Sequence, residues 1–197
     1  MNNQKLAIFE FDGTVIDGNS MFQFYRYLSG GLISYLWGLV ATSGIGLCRT
    51  LHICSKKTYY EHLAKHFLRG MSEGDIEAAS RQFVFILNKS IRGKVIAGMQ
   101  QRRLEGYRIV LVSGGIADVI RPWAAQFGIN DVFGRELEYD SDRHFTGKFE
   151  SHDCDYADME ASLSEKLNTK QSEEVLAVSC NRKNMHLEKI ATRYCLL

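Results

Sequence analysis

Hydrophobic and polar positions along the chain follow two periodicities, and these mark out its elements. Lys5 to Phe11 is a short apolar run broken by Gly13-Thr14, the pattern of a buried parallel strand. From Ser20 the apolar spacing becomes helical. Ser20 is expected to cap a run carrying Phe22, Tyr25 and Leu28, and helices are predicted over Lys56 to Phe67 and Ser72 to Asn88. A helix from Lys94 to Glu105 leads through Gly106 into a strand, Arg108 to Val112. Ile116 to Phe127 reads as a helix ending at Gly128, suited to a left-handed C-terminal cap, and the chain's one proline, Pro122, is expected to kink or restart it. Val132 to Phe149 gives a strand and a small hairpin around Asp140-Ser141-Asp142. Tyr156 to Asn168 gives a helix, Glu174 to Val178 a buried strand, and Arg193 to Leu197 a last short strand.

Outside residues 18–90, strand and helix alternate, the signature of an α/β fold with a doubly wound parallel sheet. The expected organisation is a core formed by 1–17 and 91–197, with a helical cap, 18–90, inserted after the first strand. Ligands of such sheets bind at the carboxyl ends of the strands. With 197 residues and 45% hydrophobic content, the chain can bury a proper core. Its net charge of +1 gives no electrostatic case for nucleic acid. Cys48, Cys54, Cys154, Cys180 and Cys195 are an odd set at irregular spacings, which points to free thiols in a reducing cytosol and away from a disulfide frame or zinc site. A strand begins within five residues of the N-terminus, so no cleavable signal sequence fits and a cytoplasmic location is expected.

The candidate chemistry begins at Ile8-Phe9-Glu10-Phe11-Asp12-Gly13-Thr14-Val15. Residues two apart on a strand share a face, so Glu10 and Asp12 are expected to converge at the strand's end. Two acids there suit a divalent cation, with one left over to attack or to shuttle protons. Taken alone, the pair reads more readily as a strand ending in a solvated acidic turn.

This segment resembles the first signature of the haloacid dehalogenase-like (HAD) superfamily, Asp-x-Asp-Gly-Thr at the end of the first strand of a Rossmann-like sheet, with Glu10 in place of the first Asp. Arg108 to Gly115, closing on Ser113-Gly114-Gly115, resembles the second signature. Thr146-Gly147-Lys148-Phe149 and Cys154 look like the hairpin and following turn of the phosphoserine-phosphatase-like branch, and Val175 to Asn184 sits where Gly-Asp-Ser-x-x-Asp would fall. The resemblance implies a HAD-like parallel sheet with a helical cap, and a phosphoryl-transfer site in which Glu10 is the nucleophile and Asp12 the general acid and base. Ser113 and the Gly114 amide would hold phosphate oxygens, Thr14 would help order the first loop, and Glu10 and Asp12 would bind Mg2+.

Several of the letters that this chemistry needs are replaced. The family's Lys falls at Met159, and Lys166, two turns on, would lie about 10 Å away. Cys180 stands for the metal-binding Asp and Asn184 for the second Asp, whereas a hard cation prefers oxygen ligands. Glu10 is one methylene longer than Asp, and a misplacement of about 1 Å can cost roughly a hundredfold. Arg182 remains between Cys180 and Asn184 and is suited to an anion, and it could lower the pKa of the Cys180 thiol. The preferred reading is an eroded site that binds a small phosphorylated molecule with little or no hydrolysis, Mg2+ being weak or absent. The alternative is an active Mg2+-dependent phosphomonoester hydrolase acting on a small-molecule or lipid phosphate.

Two further signals carry less weight. Tyr27 to Cys48 is 22 residues without a charge, long enough for membrane contact, yet five glycines dilute it, and an apolar helix pair within the cap is favoured. His62 and His66, four apart on a predicted helix, have no evident third metal ligand and read as surface residues.

Overall fold

The computed structural model describes residues 4–150, 163–180 and 187–196. Strand β1 (Lys5–Glu10) lies at the centre of a five-stranded sheet with β2 (Tyr107–Ile116) and β6 (Glu174–Ser179) on either side. The outer strands are β3 (Asp131–Arg135) beside β2 and β7 (Arg193–Leu196) beside β6, and every pairing is parallel. A separate antiparallel hairpin joins β4 (Leu137–Tyr139) to β5 (Phe145–Phe149). Between β1 and β2 come α1 (Ser20–Leu28), α2 (Leu32–Ala41), α3 (Ser43–Thr50), α4 (Lys56–Phe67), α5 (Glu73–Lys89) and α6 (Gly93–Leu104); α7 (Ala117–Gln126) links β2 to β3. The fold is therefore the expected α/β one, a parallel sheet with flanking helices.

Alternation along the strands divides the core between the two faces of the sheet. Leu6 and Ile8 of β1, Val110 and Val112 of β2, and Val175 and Ala177 of β6 pack with Leu163, Leu167 and Leu187. The residues between them, Ala7, Phe9, Ile109, Leu111, Leu176 and Val178, join the larger cluster that runs into the helices. That cluster centres on aromatic side chains: Trp123 meets Phe11 edge-on at 5.0 Å, and Phe24 meets Phe83 at 5.2 Å.

Helix α4 has the predicted bounds. Four other expectations are modified. The cap of α1 is Asn19, whose side chain accepts from the Phe22 amide at 3.1 Å; Ser20 is instead the first helical residue. Strand β2 runs on through Ser113-Gly114-Gly115 to Ile116, because Ile116 pairs with Arg135 of β3 after an irregularity in register. Helix α7 passes through Pro122 as one element, so there is no restart; the bond lost is the one that would have reached the Asp118 carbonyl. The helix predicted over 156–168 is described only from residue 163, where helix to 166 is followed by a turn and a 3-10 segment, Thr169–Gln171.

Candidate active site

Glu10, Ser113, Arg135 and Ser179 all stand at or near the carboxyl ends of their strands, on one edge of the sheet. Strand β1 stops at Glu10, after which the chain turns through Gly13, whose φ of +75° is a left-handed conformation that suits glycine. The turn alters the expected relation between the two acids. Glu10 keeps the face of Leu6 and Ile8 and accepts hydrogen bonds from the Ser179 hydroxyl of β6 and from Thr14 Oγ1 at 3.2 Å. Asp12, beyond the strand, faces the other way: Oδ2 accepts from the Ser113 hydroxyl and Oδ1 from the Ser20 amide at 2.5 Å, the N-terminus of α1. The two carboxylates thus engage different neighbours instead of sharing one set of partners.

Glu10 sits in protein rather than water, and Asp12 is half-buried. Glu10 is only 3% exposed, and burial pushes its carboxyl above the ordinary range, against the bonds from Ser179 and Thr14 and with a small push from the Asp12 charge. Burial likewise raises Asp12, against the bonds from Ser113 and Ser20 and the Arg135 charge. Thr14 is wholly internal: besides donating to Glu10, it accepts from the Cys180 amide at 2.9 Å and so ties the first loop to the end of β6. Ser113 also accepts from the Gly115 amide at 2.8 Å, while Gly114 beside it is half-buried. Gly115 cannot be larger, because a Cβ there would lie 2.6 Å from Ser20 Oγ and 3.4 Å from Asp12 Oδ2.

Two arginines complete the surroundings, and sequence reading had assigned neither. Arg92, the residue before α6, donates from Nη1 to the Cys180 sulfur at 3.1 Å and from Nε to Asp17 at 2.6 Å. The cation found against Cys180 is therefore Arg92; Arg182, the expected one, lies outside the described residues, as do Cys154, Met159 and Asn184. Arg135, at the end of β3, is 6% exposed, with its guanidinium 4.0 Å from the centroid of the Tyr60 ring of α4 and its charge acting on Asp12 and Tyr25. Tyr25 is fully buried, and its hydroxyl has no hydrogen-bond partner among the described residues. Lys166, considered as a substitute cation, is exposed with its ammonium 5.8 Å from the Phe133 ring centroid. His62 and His66 are exposed on α4, and no group of three or more acidic, histidine or cysteine side chains among the described residues is arranged to hold a metal. Cys48, Cys54, Cys180 and Cys195 are free thiols.

The architecture is shared with solved structures. A protein of unknown function from Bordetella pertussis Tohama I superposes with a TM-score of 0.82 at 17% identity, over 98% of this chain and 89% of its own. A phosphoserine phosphohydrolase-like protein from Francisella tularensis subsp. tularensis SCHU S4 gives 0.67 at 20% identity, covering 97% and 86%. A substrate-bound phosphoserine phosphatase gives 0.59 at 14% identity, covering 99% and 94%. No curated protein matches the chain. The family model for haloacid dehalogenase-like hydrolases matches residues 7–179, from the core of β1 to the last residue of β6, and the chain belongs to that family.

Proposed function

We propose that the protein binds a small phosphorylated molecule at the carboxyl edge of the sheet and hydrolyses it little or not at all. The observation that carries this reading is Arg92 on Cys180. In the resemblance Cys180 takes the place of a metal-binding Asp, and here that position presents a thiol with a guanidinium 3.1 Å from its sulfur. A hard dication needs oxygen ligands and has no use for a fixed positive charge beside them. Glu10 and Asp12, the remaining acids, are held by hydroxyl and amide donors in surroundings that favour their neutral forms. These residues do not fit magnesium. Without it, the charge that gathers on a phosphoryl group in transfer has lost its main counter-charge.

What remains is suited to binding. Arg92 brings a guanidinium to Cys180 at the end of β6 and Arg135 brings a second whose charge acts on Asp12, and such forks match phosphate oxygens. The helical segment that supplies Tyr25 and Tyr60 is proposed to act as the cap over this edge. Calorimetric titration with inorganic phosphate in EDTA should show binding that added magnesium does not strengthen. Release of phosphate from p-nitrophenyl phosphate with magnesium should be absent in the protein as it stands. It should appear in a variant combining Glu10→Asp, Met159→Lys, Cys180→Asp and Asn184→Asp. Equal magnesium-dependent turnover in both proteins would identify a working hydrolase and overturn the reading.

A further inference from the structure

The tip of the helical segment inverts the usual rule that apolar side chains face inward. Helix α2 is docked by one side: Gly38 lies so close to α4 that a Cβ would stand 2.8 Å from the Phe67 ring, and Tyr35 meets the same ring at 5.9 Å. Its opposite side carries Leu32, Ile33, Leu36, Trp37 and Val40, a helical stripe that is exposed throughout, with Ile33 at 75% and Trp37 at 70%. Of the eleven exposed large apolar side chains among the described residues, eight lie between Leu32 and Ile53. A clustered apolar face of this kind marks an interaction surface.

Charge identifies the partner. Residues 18–60 contain no Asp or Glu, while Arg26, Arg49, Lys56 and Lys57 border the apolar stretch in sequence, Lys57 lying 3.9 Å from Glu61. An apolar face in a stretch flanked by basic residues, with no acid from residue 18 to residue 60, is complementary to an anionic lipid surface. Geometry sets the mode of contact. Helix α2 has 10 residues, about 15 Å, against a hydrocarbon layer of about 30 Å. No single helix among the described residues is long and apolar enough to cross, and α2 and α3 are bent by 53°. We infer that α2 and α3 form a shallow docking element that lies in the interface of an anionic membrane, with the α2 stripe among the acyl chains and the flanking basic side chains at the headgroups.

The test is sedimentation of the full chain with phosphatidylcholine vesicles, with and without about 30% phosphatidylglycerol. Binding should require the anionic lipid and weaken with added salt. Trp37 emission should shift to the blue, and since Trp123, the second tryptophan, is fully buried, the change belongs to Trp37. The double variant Ile33→Ser, Trp37→Ser should bind about tenfold more weakly or worse, and Arg49→Glu with Lys56→Glu should weaken binding while retaining the parent's circular dichroism. Vesicle binding unaffected by the double apolar variant would overturn the inference, as would no sedimentation with either lipid. A dimer in vesicle-free buffer that Trp37→Ser dissociates, together with no vesicle binding, would assign the face to a second copy and also overturn it.

Discussion

The carboxyl edge of the sheet and the α2 stripe depart from ordinary burial in opposite senses. At the sheet edge a glutamate is 3% exposed, while at the helix tip a tryptophan is 70% exposed. The difference lies in how each is accommodated. Glu10 and Asp12 have been given donors from Thr14, Ser20, Ser113 and Ser179, so the polar groups are satisfied within the chain. Among the described residues, nothing covers the outer side of the α2 stripe. The two carboxylates are held by folding itself; the exposed apolar face leaves its surface for something else.

The two tryptophans offer the largest contrast. Trp123 is fully buried against Phe11 and Phe127 and donates from its indole to Asn88 at 2.9 Å. Trp123→Ala should cost about 3–5 kcal/mol in urea unfolding, whereas Trp37→Ser should change stability by no more than about 0.5 kcal/mol. Comparable losses at both positions would erase the distinction between the regions. A smaller effect is expected inside the polar site itself. Gly115→Ala places a methyl 2.6 Å from Ser20 Oγ and 3.1 Å from Ser113 Oγ, and a cost of about 1–3 kcal/mol should accompany weaker phosphate binding in calorimetry. Full retention of both would show that the site is looser than the contact distances require.

The smallest effect is the most specific. Burial raises the Glu10 carboxyl pKa, so the folded chain keeps that proton to higher pH than the unfolded one. Between the two values the folded state binds more protons, and its stability falls as pH rises through that window and is level above it. Glu10→Gln removes the penalty. Relative to the parent, the variant should melt higher at pH 7, and the advantage should vanish on acidification to about pH 4, the ordinary carboxylate range. An advantage that grew on acidification would mean that the hydrogen bonds from Ser179 and Thr14 outweigh burial.

Legibility in the sequence tracked the range of the interactions involved. Helix α4 was readable to the residue because its Ser55 cap and apolar spacing are local, and β1, β2 and β6 were readable as apolar runs ended by turns. The position of the acid pair was legible for the same reason. Its partners were not. Ser179 meets Glu10 across 169 positions and Arg92 meets Cys180 across 88, and nothing near either residue marks it. Arg135 lies in Phe133-Gly134-Arg135-Glu136, where an arginine reads as surface; its burial against Tyr60 arises only when the fold brings a residue of α4 onto it. The shared face expected for Glu10 and Asp12 failed because strand geometry ends at Glu10, two residues before Asp12.

Where the chain leaves the sheet and where it returns, it is stitched to itself. The Asp17 amide donates to the Ser90 carbonyl at 2.7 Å, the Arg92 amide to the Val15 carbonyl at 2.8 Å, and the Arg92 side chain grips Asp17 while touching Cys180. One side chain thus serves both as a clasp on the neck and as a counter-charge facing the acid edge. The guanidinium that would meet an anion in the proposed binding is thus the one that fastens the neck, so replacing Arg92 is expected to disturb both at once.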